Sequence, residues 1–169
     1  MKLETERLIL TEFTADMAYD VYRNSLDSDT RRFVPDEVFE TPEDARNTID
    51  FLMSKYDSPD GPFVYPVLRK ADRRNIGYVQ IAPVENGKWE IGYHIAEAYT
   101  GNGYATEAVR AFLPVMADKI GISEVYGICL EDNKASVRVL KKCGFRPVFE
   151  GPGIYQGENR RIFRSVRML

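Results

Sequence analysis

The sequence predicts a mixed α/β (α+β) fold in which helices flank a central sheet. Strand and helix segments alternate irregularly, and the Asn-Gly pair in "ENGK" (85–88) predicts a tight hairpin in the middle of the chain. Residues 88–130 have the strand–loop–helix–strand order of one βαβ crossover, whose two strands run parallel. The 169 residues, 44% hydrophobic and 29% charged, suit a single domain over 1–169 with one core.

Local signals predict the elements in order along the chain. The β-rich segment 7–13 predicts a first strand, and apolar residues at helical spacing predict helices over 14–26 and 41–56. Thr41 is suited to cap the second helix and Pro42 to begin it. The other predicted strands are 62–69, 75–84, 88–96, 124–130, 145–151 and 160–169. The other predicted helices are 103–120, with Pro114 in an unfavourable interior position, and 133–145.

Charge and cysteine content narrow the classes of function. A formal net charge of -3 and an isoelectric point near 5.3 give no reason to expect a nucleic acid or an anionic membrane as partner. Cys129 and Cys143 have no metal-ligand spacing, so we expect no metal site and a reducing, cytoplasmic location. No apolar segment has the length of a signal peptide core or a membrane helix.

A short glycine loop, residues 100–106, precedes the predicted helix 103–120. In "YTGNGYATEA" two glycines stand one residue apart, but no Gly-Lys-Ser/Thr follows and Thr106 replaces the third glycine of a dinucleotide fingerprint. Free amides at a helix N-terminus still favour a phosphate group, and in a βαβ unit the loop lies at the ligand-binding end of the sheet. Asn133, as a helix cap, and Ser136 are predicted to face the same opening, although capping alone is an equally good reading of Asn133.

Two longer blocks resemble a known enzyme family. "IGYHIAEAYTGNGYATEAVRAF" and "NKASVRVLKKCGF" resemble the signature blocks of the GNAT N-acetyltransferases, and "ETERLILTEFT" resembles the start of its ribosomal-protein N-terminal (alanine/serine) acetyltransferase subgroup. The resemblance covers essentially the whole chain. It implies the GNAT fold, a twisted mixed sheet of about six to seven strands, with acetyl-CoA as the donor co-substrate and an amine as acceptor.

The resemblance also implies where acetyl-CoA binds. The loop amides would hold the pyrophosphate, and the pantetheine arm would lie along the predicted strand 88–96 where two parallel strands separate. Ser136 would protonate the leaving thiolate. Thr100 departs from the family, which usually has Gln or Arg there, so a side-chain contact to phosphate is missing. The implied acetyl-CoA-binding residues are His94, Ile95, Thr100, Gly101, Asn102, Gly103, Tyr104, Ala105, Thr106 and Asn133.

The general base has two candidates on the strand 88–96. Alternation places Glu90, Gly92 and His94 on one face, and Trp89, Ile91, Tyr93 and Ile95 on the other. Gly92 would leave room between the two titratable side chains, and either can relay a proton. We favour Glu90, while a solvent-exposed Glu90 and a hydrogen-bonding His94 remain the structural alternatives.

The sequence leaves open the identity of the amine acceptor and two alternative functions. Among the acidic residues 36–44, only Asp36, Glu37 and Glu40 are not explained by the helix start, and they would attract a cationic acceptor. The arginines of 160–167 are expected to form a solvated face. A non-catalytic CoA-binding sensor is the first alternative function. An NAD-type oxidoreductase, using Glu131 or Asp132, is the second, and a homodimer is compatible with the sequence.

Overall fold

The computed structural model describes residues 1–169 as one sheet with helices on both faces. The strands are β1 (Leu3–Glu4), β2 (Leu8–Leu10), β3 (Phe63–Arg69), β4 (Asn75–Val84), β5 (Lys88–Ile95), β6 (Glu124–Leu130), β7 (Arg146–Tyr155) and β8 (Glu158–Met168). The helices are α1 (Ala18–Ser25), α2 (Ser28–Phe33), α3 (Pro42–Met53), α4 (Tyr104–Ile120) and α5 (Lys134–Lys142).

The sheet has the order β1-β2-β3-β4-β5-β6-β8-β7. All neighbouring strands are antiparallel except β5 and β6, which are parallel as the crossover predicts. The chain turns from β4 to β5 at Asn86 and Gly87, both with positive φ, which confirms the predicted Asn-Gly hairpin. Helices α4 and α5 lie on the face of β5 that carries Tyr93, whereas α1 and α3 cover the opposite face.

Helix α4 buries one continuous face against the sheet, and Phe112 and Met116 on it are fully buried. It runs unbroken through Pro114, which lies on the exposed side. The predicted cap of α3 is confirmed, because Thr41 accepts from the Asp44 amide at 3.1 Å and the Asp44 carboxylate accepts from the Thr41 amide at 3.0 Å. The sole tryptophan, Trp89, stacks on Phe63 at the start of β5.

The mixed α/β fold is confirmed, and two differences have physical reasons. The sheet has eight strands rather than six or seven, because the two-residue strand β1 pairs with β2 and is too short to give a sequence pattern. Helix α2 was not predicted, because "SDTRRF" lacks apolar periodicity. It forms because Asp27 caps it and Thr30 is buried beneath it.

No helix combines the length and the apolar character required to span a membrane.

Gly77, near the start of β4, lies where the backbones of β4 and β5 approach too closely for a side chain. Its φ is +152°, and a Cβ atom there would lie 2.0 Å from the carbonyl oxygen of His94 on β5. The side chain of Asn75 accepts from the Gly77 amide at 2.9 Å, and the Asn75 carbonyl accepts from Asn24 of α1 at 2.8 Å. This corner therefore fixes the ends of β4 and β5 beneath α1.

Replacing Gly77 by alanine should destabilise the fold strongly. We expect Gly77→Ala to lower the free energy of unfolding by about 3 kcal/mol or more, because a glycine-only conformation and a backbone clash add together. Gly157→Ala is the matched control, since Gly157 has a φ of +78° with nothing within 4 Å of the added Cβ. It should lose only about 1 to 2 kcal/mol. Urea denaturation of the three proteins measures the difference; equal losses would contradict the backbone clash.

Candidate active site

A gap between β5 and β6 defines the candidate site. These strands pair only through Glu90 with Tyr126 and Ile91 with Gly127. Beyond these pairs the strands separate, so the edge of β5 from Gly92 to Ile95 has no strand beside it on that side. The predicted separation of the parallel strands is therefore present, and free backbone groups along β5 are available to an extended ligand.

The glycine loop lies at the same end of the gap. Gly101 and Gly103 have φ of +78° and +80°, so both glycines are explained by left-handed backbone rather than by crowding. The first backbone hydrogen bond of α4 runs from the Glu107 amide to the Gly103 carbonyl at 3.0 Å. The amides from Gly101 to Thr106 donate to no other protein group, which is the arrangement that a phosphate group requires.

A cavity of about 560 Å³ passes through the gap and reaches both faces of the sheet. Nine of the ten predicted acetyl-CoA-binding residues line it. The exception is Asn102, whose side-chain amide donates to the Tyr99 and Thr100 carbonyls at 3.0 Å and so closes the loop instead. The lining includes His94, Ile95, Thr100, Gly101, Gly103, Tyr104, Ala105, Thr106 and Asn133, together with Glu90 and Ser136.

The face toward α5 carries hydroxyl groups. Asn133 caps α5, because its side-chain oxygen accepts from the Ser136 amide at 3.1 Å. The hydroxyl oxygens of Tyr93 and Ser136 lie 3.0 Å apart, and the Ser136 carbonyl also accepts from Tyr93 at 3.0 Å. Burial raises the pKa of Tyr93 well above its usual range, so the phenol keeps its proton and can donate a hydrogen bond. Tyr93 was not predicted as a site residue; its position opposite Ser136 depends on the packing of α5.

The opposite face of β5 carries the two candidate bases, as predicted. Burial raises the pKa of Glu90 to about 7, against the opposing effect of Arg164. The expected room above Gly92 is occupied, because a Cβ on Gly92 would lie 2.6 Å from the side-chain nitrogen of Gln80. The Gln80 side chain therefore lies over Gly92 between Glu90 and His94, and both of these side chains line the same cavity. His94 instead contacts Thr30, whose hydroxyl oxygen lies 2.8 Å from Nε2.

A second cavity, of about 210 Å³, lies under α1 and α3 and adjoins the first at Glu37, Tyr78, Gln80 and His94. Of the acidic residues 36–44, only Glu37 lines these cavities. Its carboxylate accepts from the Tyr78 hydroxyl, and burial raises the pKa of Glu37 to about 7. No group of three or more His, Cys, Asp or Glu side chains is placed to hold a metal ion.

Comparison with known proteins decides the family. The acetyltransferase (GNAT) domain model matches residues 7–146. The chain belongs to the GNAT acetyltransferase family. The N-acetyltransferase YnaD of Bacillus subtilis, described as uncharacterized, is 29% identical to this GNAT chain over 147 residues, which are 86% of this chain and 83% of YnaD.

Solved structures agree with the GNAT fold. A GNAT-family acetyltransferase from Bacillus anthracis superposes with a TM-score of 0.85 at 24% identity, covering 99% of this chain and 98% of that one. RimL, a ribosomal alpha-N-protein acetyltransferase solved in complex with coenzyme A, superposes with a TM-score of 0.82 at 17% identity, covering 100% and 98%. The resemblance to the ribosomal-protein subgroup is matched among the structural neighbours, although such identities establish the fold alone.

Membership of the family settles the class of reaction. This GNAT protein is an acetyl-CoA-dependent acyltransferase, which excludes the oxidoreductase alternative.

Arg7 and Glu107 support the glycine loop of this GNAT domain and were not predicted as site residues. Arg7 binds the Glu107 carboxylate at 2.6 and 2.7 Å and donates to the Asn102 carbonyl at 2.9 Å. Its guanidinium also lies 4.6 Å from the centre of the Tyr104 ring. Because the two residues are 100 positions apart, no local pattern relates them. Their contacts hold the loop at Asn102 and Tyr104.

Removing Arg7 should weaken acetyl-CoA binding. We expect Arg7→Ala to raise the Kd about fivefold to tenfold, because a loop held by charge-assisted hydrogen bonds loses roughly 1 to 1.4 kcal/mol of preorganisation. Arg7→Lys should recover little, since an ammonium lacks the planar fork that meets the carboxylate twice and the carbonyl at the same time. Calorimetric titration with acetyl-CoA measures the Kd. Arg160→Ala, which breaks only a local contact to Glu158, is the control; equal Kd values for Arg7→Ala and Arg160→Ala would exclude this role.

Proposed function

We propose that this protein transfers the acetyl group of acetyl-CoA to a primary amine by direct attack while both substrates are bound. The proposal rests on the six free backbone amides of residues 101–106, which lie at the end of the gap between β5 and β6. The two sides of this gap carry different functional groups. Proton acceptors lie on the side of α1 and α3, and hydroxyl donors lie on the side of α5. An amine that enters from the first side would expel the thiolate toward the second.

The donor side would act on the leaving group. The thiol of coenzyme A resembles that of cysteine, with a pKa of about 8.5. A weakly acidic group is therefore sufficient to protonate its thiolate. Ser136 would give this proton and regain one from solvent, while Tyr93, which burial keeps protonated, would hold the Ser136 hydroxyl in place across the 3.0 Å contact. A backbone amide at the edge of β5 would polarise the thioester carbonyl.

The acceptor side would remove protons from the amine. Glu90 is the favoured base, because its pKa near 7 makes the carboxylate both available and basic at neutral pH. Glu37, half-buried and without a cationic partner, would attract an ammonium group toward the gap. Both acids are therefore suited to a substrate that arrives with a positive charge.

A protein α-amine is the acceptor we favour among primary amines. An α-amine has a pKa of about 7.8, so much of it is neutral at pH 7.5. A lysine side chain has a pKa of about 10.4, and its deprotonation at pH 7.5 costs roughly 4 kcal/mol. The structural similarity to RimL and the subgroup resemblance of the opening segment support the same choice. We place the reaction in the cytoplasm, because Cys129 and Cys143 are both free and buried.

Thermal unfolding with and without acetyl-CoA, followed by an acceptor screen, tests the proposal. Acetyl-CoA at about 100 times its Kd should add roughly 2.7 kcal/mol of stability, and NADH should add none. Release of the CoA thiol would then be followed with alanine-led and serine-led peptides, spermidine and glucosamine. Stabilisation without thiol release from any amine would favour the CoA-binding sensor. No stabilisation would overturn donor binding itself.

Glu90→Gln should lower kcat by about 100-fold or more, because general base catalysis contributes about 10² to 10⁴. The Kd for acetyl-CoA should stay within twofold. In the wild-type enzyme kcat should rise with pH through about 7, since the base acts only after losing its proton. Glu85→Gln, in the exposed β4–β5 hairpin, is the matched control. An unchanged kcat in Glu90→Gln would remove Glu90 from the mechanism.

A further inference from the structure

Three residues from two elements form a hydrogen-bonded chain that ends in the cavities. Asp27 precedes α2, Thr30 lies within it and is 1% exposed, and His94 lies near the end of β5. The Thr30 hydroxyl oxygen is 2.8 Å from the Asp27 carboxylate and 2.8 Å from His94 Nε2. His94 is the only histidine of the chain and lines both cavities.

Asp27 is held in place as an ionised acceptor. Its carboxylate accepts from the Glu97 amide at 2.7 Å and from the Thr30 amide at 2.8 Å. Burial works in the opposite direction, but these bonds and the Thr30 hydroxyl hold the pKa of Asp27 below its usual range. A carboxylate in this state can only accept, so it fixes the direction of its bond with Thr30.

The direction of that bond determines the tautomer of His94. The Thr30 hydroxyl has one proton, and the ionised carboxylate at 2.8 Å is a stronger acceptor than the Asn24 carbonyl at 3.4 Å. The Thr30 oxygen then has only lone pairs to offer His94. Nε2 must therefore carry a hydrogen, and in the neutral ring Nδ1 carries the lone pair. No protein group hydrogen-bonds to Nδ1.

We infer that Asp27 and Thr30 hold His94 as the Nε2–H tautomer so that Nδ1 accepts a proton from the incoming acceptor ammonium. This inference rests on the proposed function. An ammonium must lose two protons to become an amide. The first would leave when an N–H bond of the ammonium breaks and an Nδ1–H bond forms, after which water takes it. The second would pass to Glu90 during attack. Thr30 is thus a positioning residue.

The surroundings of His94 suit a ring that is charged only briefly. Burial lowers the pKa of His94, whereas Asp27 and Asp29 of the α2 region raise it. The other titratable groups that line both cavities with His94 are Glu37 and Tyr78, and Glu90 lies beyond Gln80. None of them is cationic, so the imidazolium would be stabilised by acids on several sides while desolvation favours rapid loss of its proton.

Nitrogen-15 NMR of the full chain labelled at histidine tests the tautomer directly, because only one imidazole contributes. The wild type should give a protonated Nε2 and an unprotonated Nδ1 above the pKa of the ring. Thr30→Val, which keeps the shape and removes the hydroxyl, should give a mixture of tautomers. Thr30→Ser should restore the wild-type pattern. Ser25→Ala removes another buried hydroxyl of this region and should leave the tautomer unchanged.

Turnover provides the second readout. The amine used is one that the wild type acetylates. Thr30→Val should lower kcat about tenfold, which is less than the full contribution of a general base because His94 remains present. The Kd for acetyl-CoA should stay within twofold of the wild-type value. Below the limb that Glu90 sets near pH 7, the further loss of kcat that comes from protonation of His94 should begin at lower pH, because the imidazolium loses its link to Asp27. Thr30→Ser should recover both.

Two results would overturn the inference: an Nδ1–H tautomer in the wild type, or a Thr30→Val variant with wild-type tautomer and pH profile. Wild-type protein that acetylates no amine would instead remove the proposed function and the catalytic part of the inference with it. The tautomer spectra would still decide the positioning by Asp27 and Thr30. The two failures are therefore distinguishable.

Discussion

The short pairing between β5 and β6 is the constraint on which the rest of the site depends. β5 is paired with β4, and β6 with β8, along their whole lengths, so both strands are held firmly from outside. Between them, pairing stops after Ile91 and Gly127. The gap is thus held open by the neighbouring strands. It leaves backbone N–H and C=O groups without a partner where a continuous parallel sheet would pair them. The glycine loop and the start of α5 both lie at this end because each follows one of the separating strands.

The gap also divides the site into two electrostatic halves. Toward α4 and α5 the groups are backbone amides, hydroxyls and the cationic side chains of Arg138 and Lys142, which line the cavity, whereas the cation of Arg7 is already paired with Glu107. Toward α1 and α3 the groups are acids and one imidazole, with Glu37 and Glu90 both less acidic than usual because they are buried. Under the proposed function, an anionic donor and a cationic acceptor would thereby be directed to different sides of one opening.

The parts of the site that could be predicted are those with a local cause. The Asn-Gly turn, the glycines before α4 and the Asn133 cap each depend on neighbours within a few residues, and all three are present as expected. Alternation along β5 correctly separated Glu90 and His94 from Tyr93. The remaining parts depend on contacts between distant segments.

Two such contacts illustrate why sequence patterns were insufficient. Gln80 fills the space above Gly92, which looked open when β5 was considered alone. Thr30 reaches His94 across 64 positions, from a helix that has no apolar periodicity. These contacts are set by how helices dock on the sheet, and that docking is a property of the whole core.

Because the cavity passes through the sheet, its two halves are continuous within one opening. A single molecule in which the sulfur of coenzyme A is joined to an amine-bearing group by a two-carbon bridge would fill both halves at once. Covalent connection makes the second binding event intramolecular, at an effective concentration in the millimolar range for a short linker. If two substrates enter the gap from opposite faces, as proposed, the site would therefore favour linked inhibitors over mixtures of their separate parts.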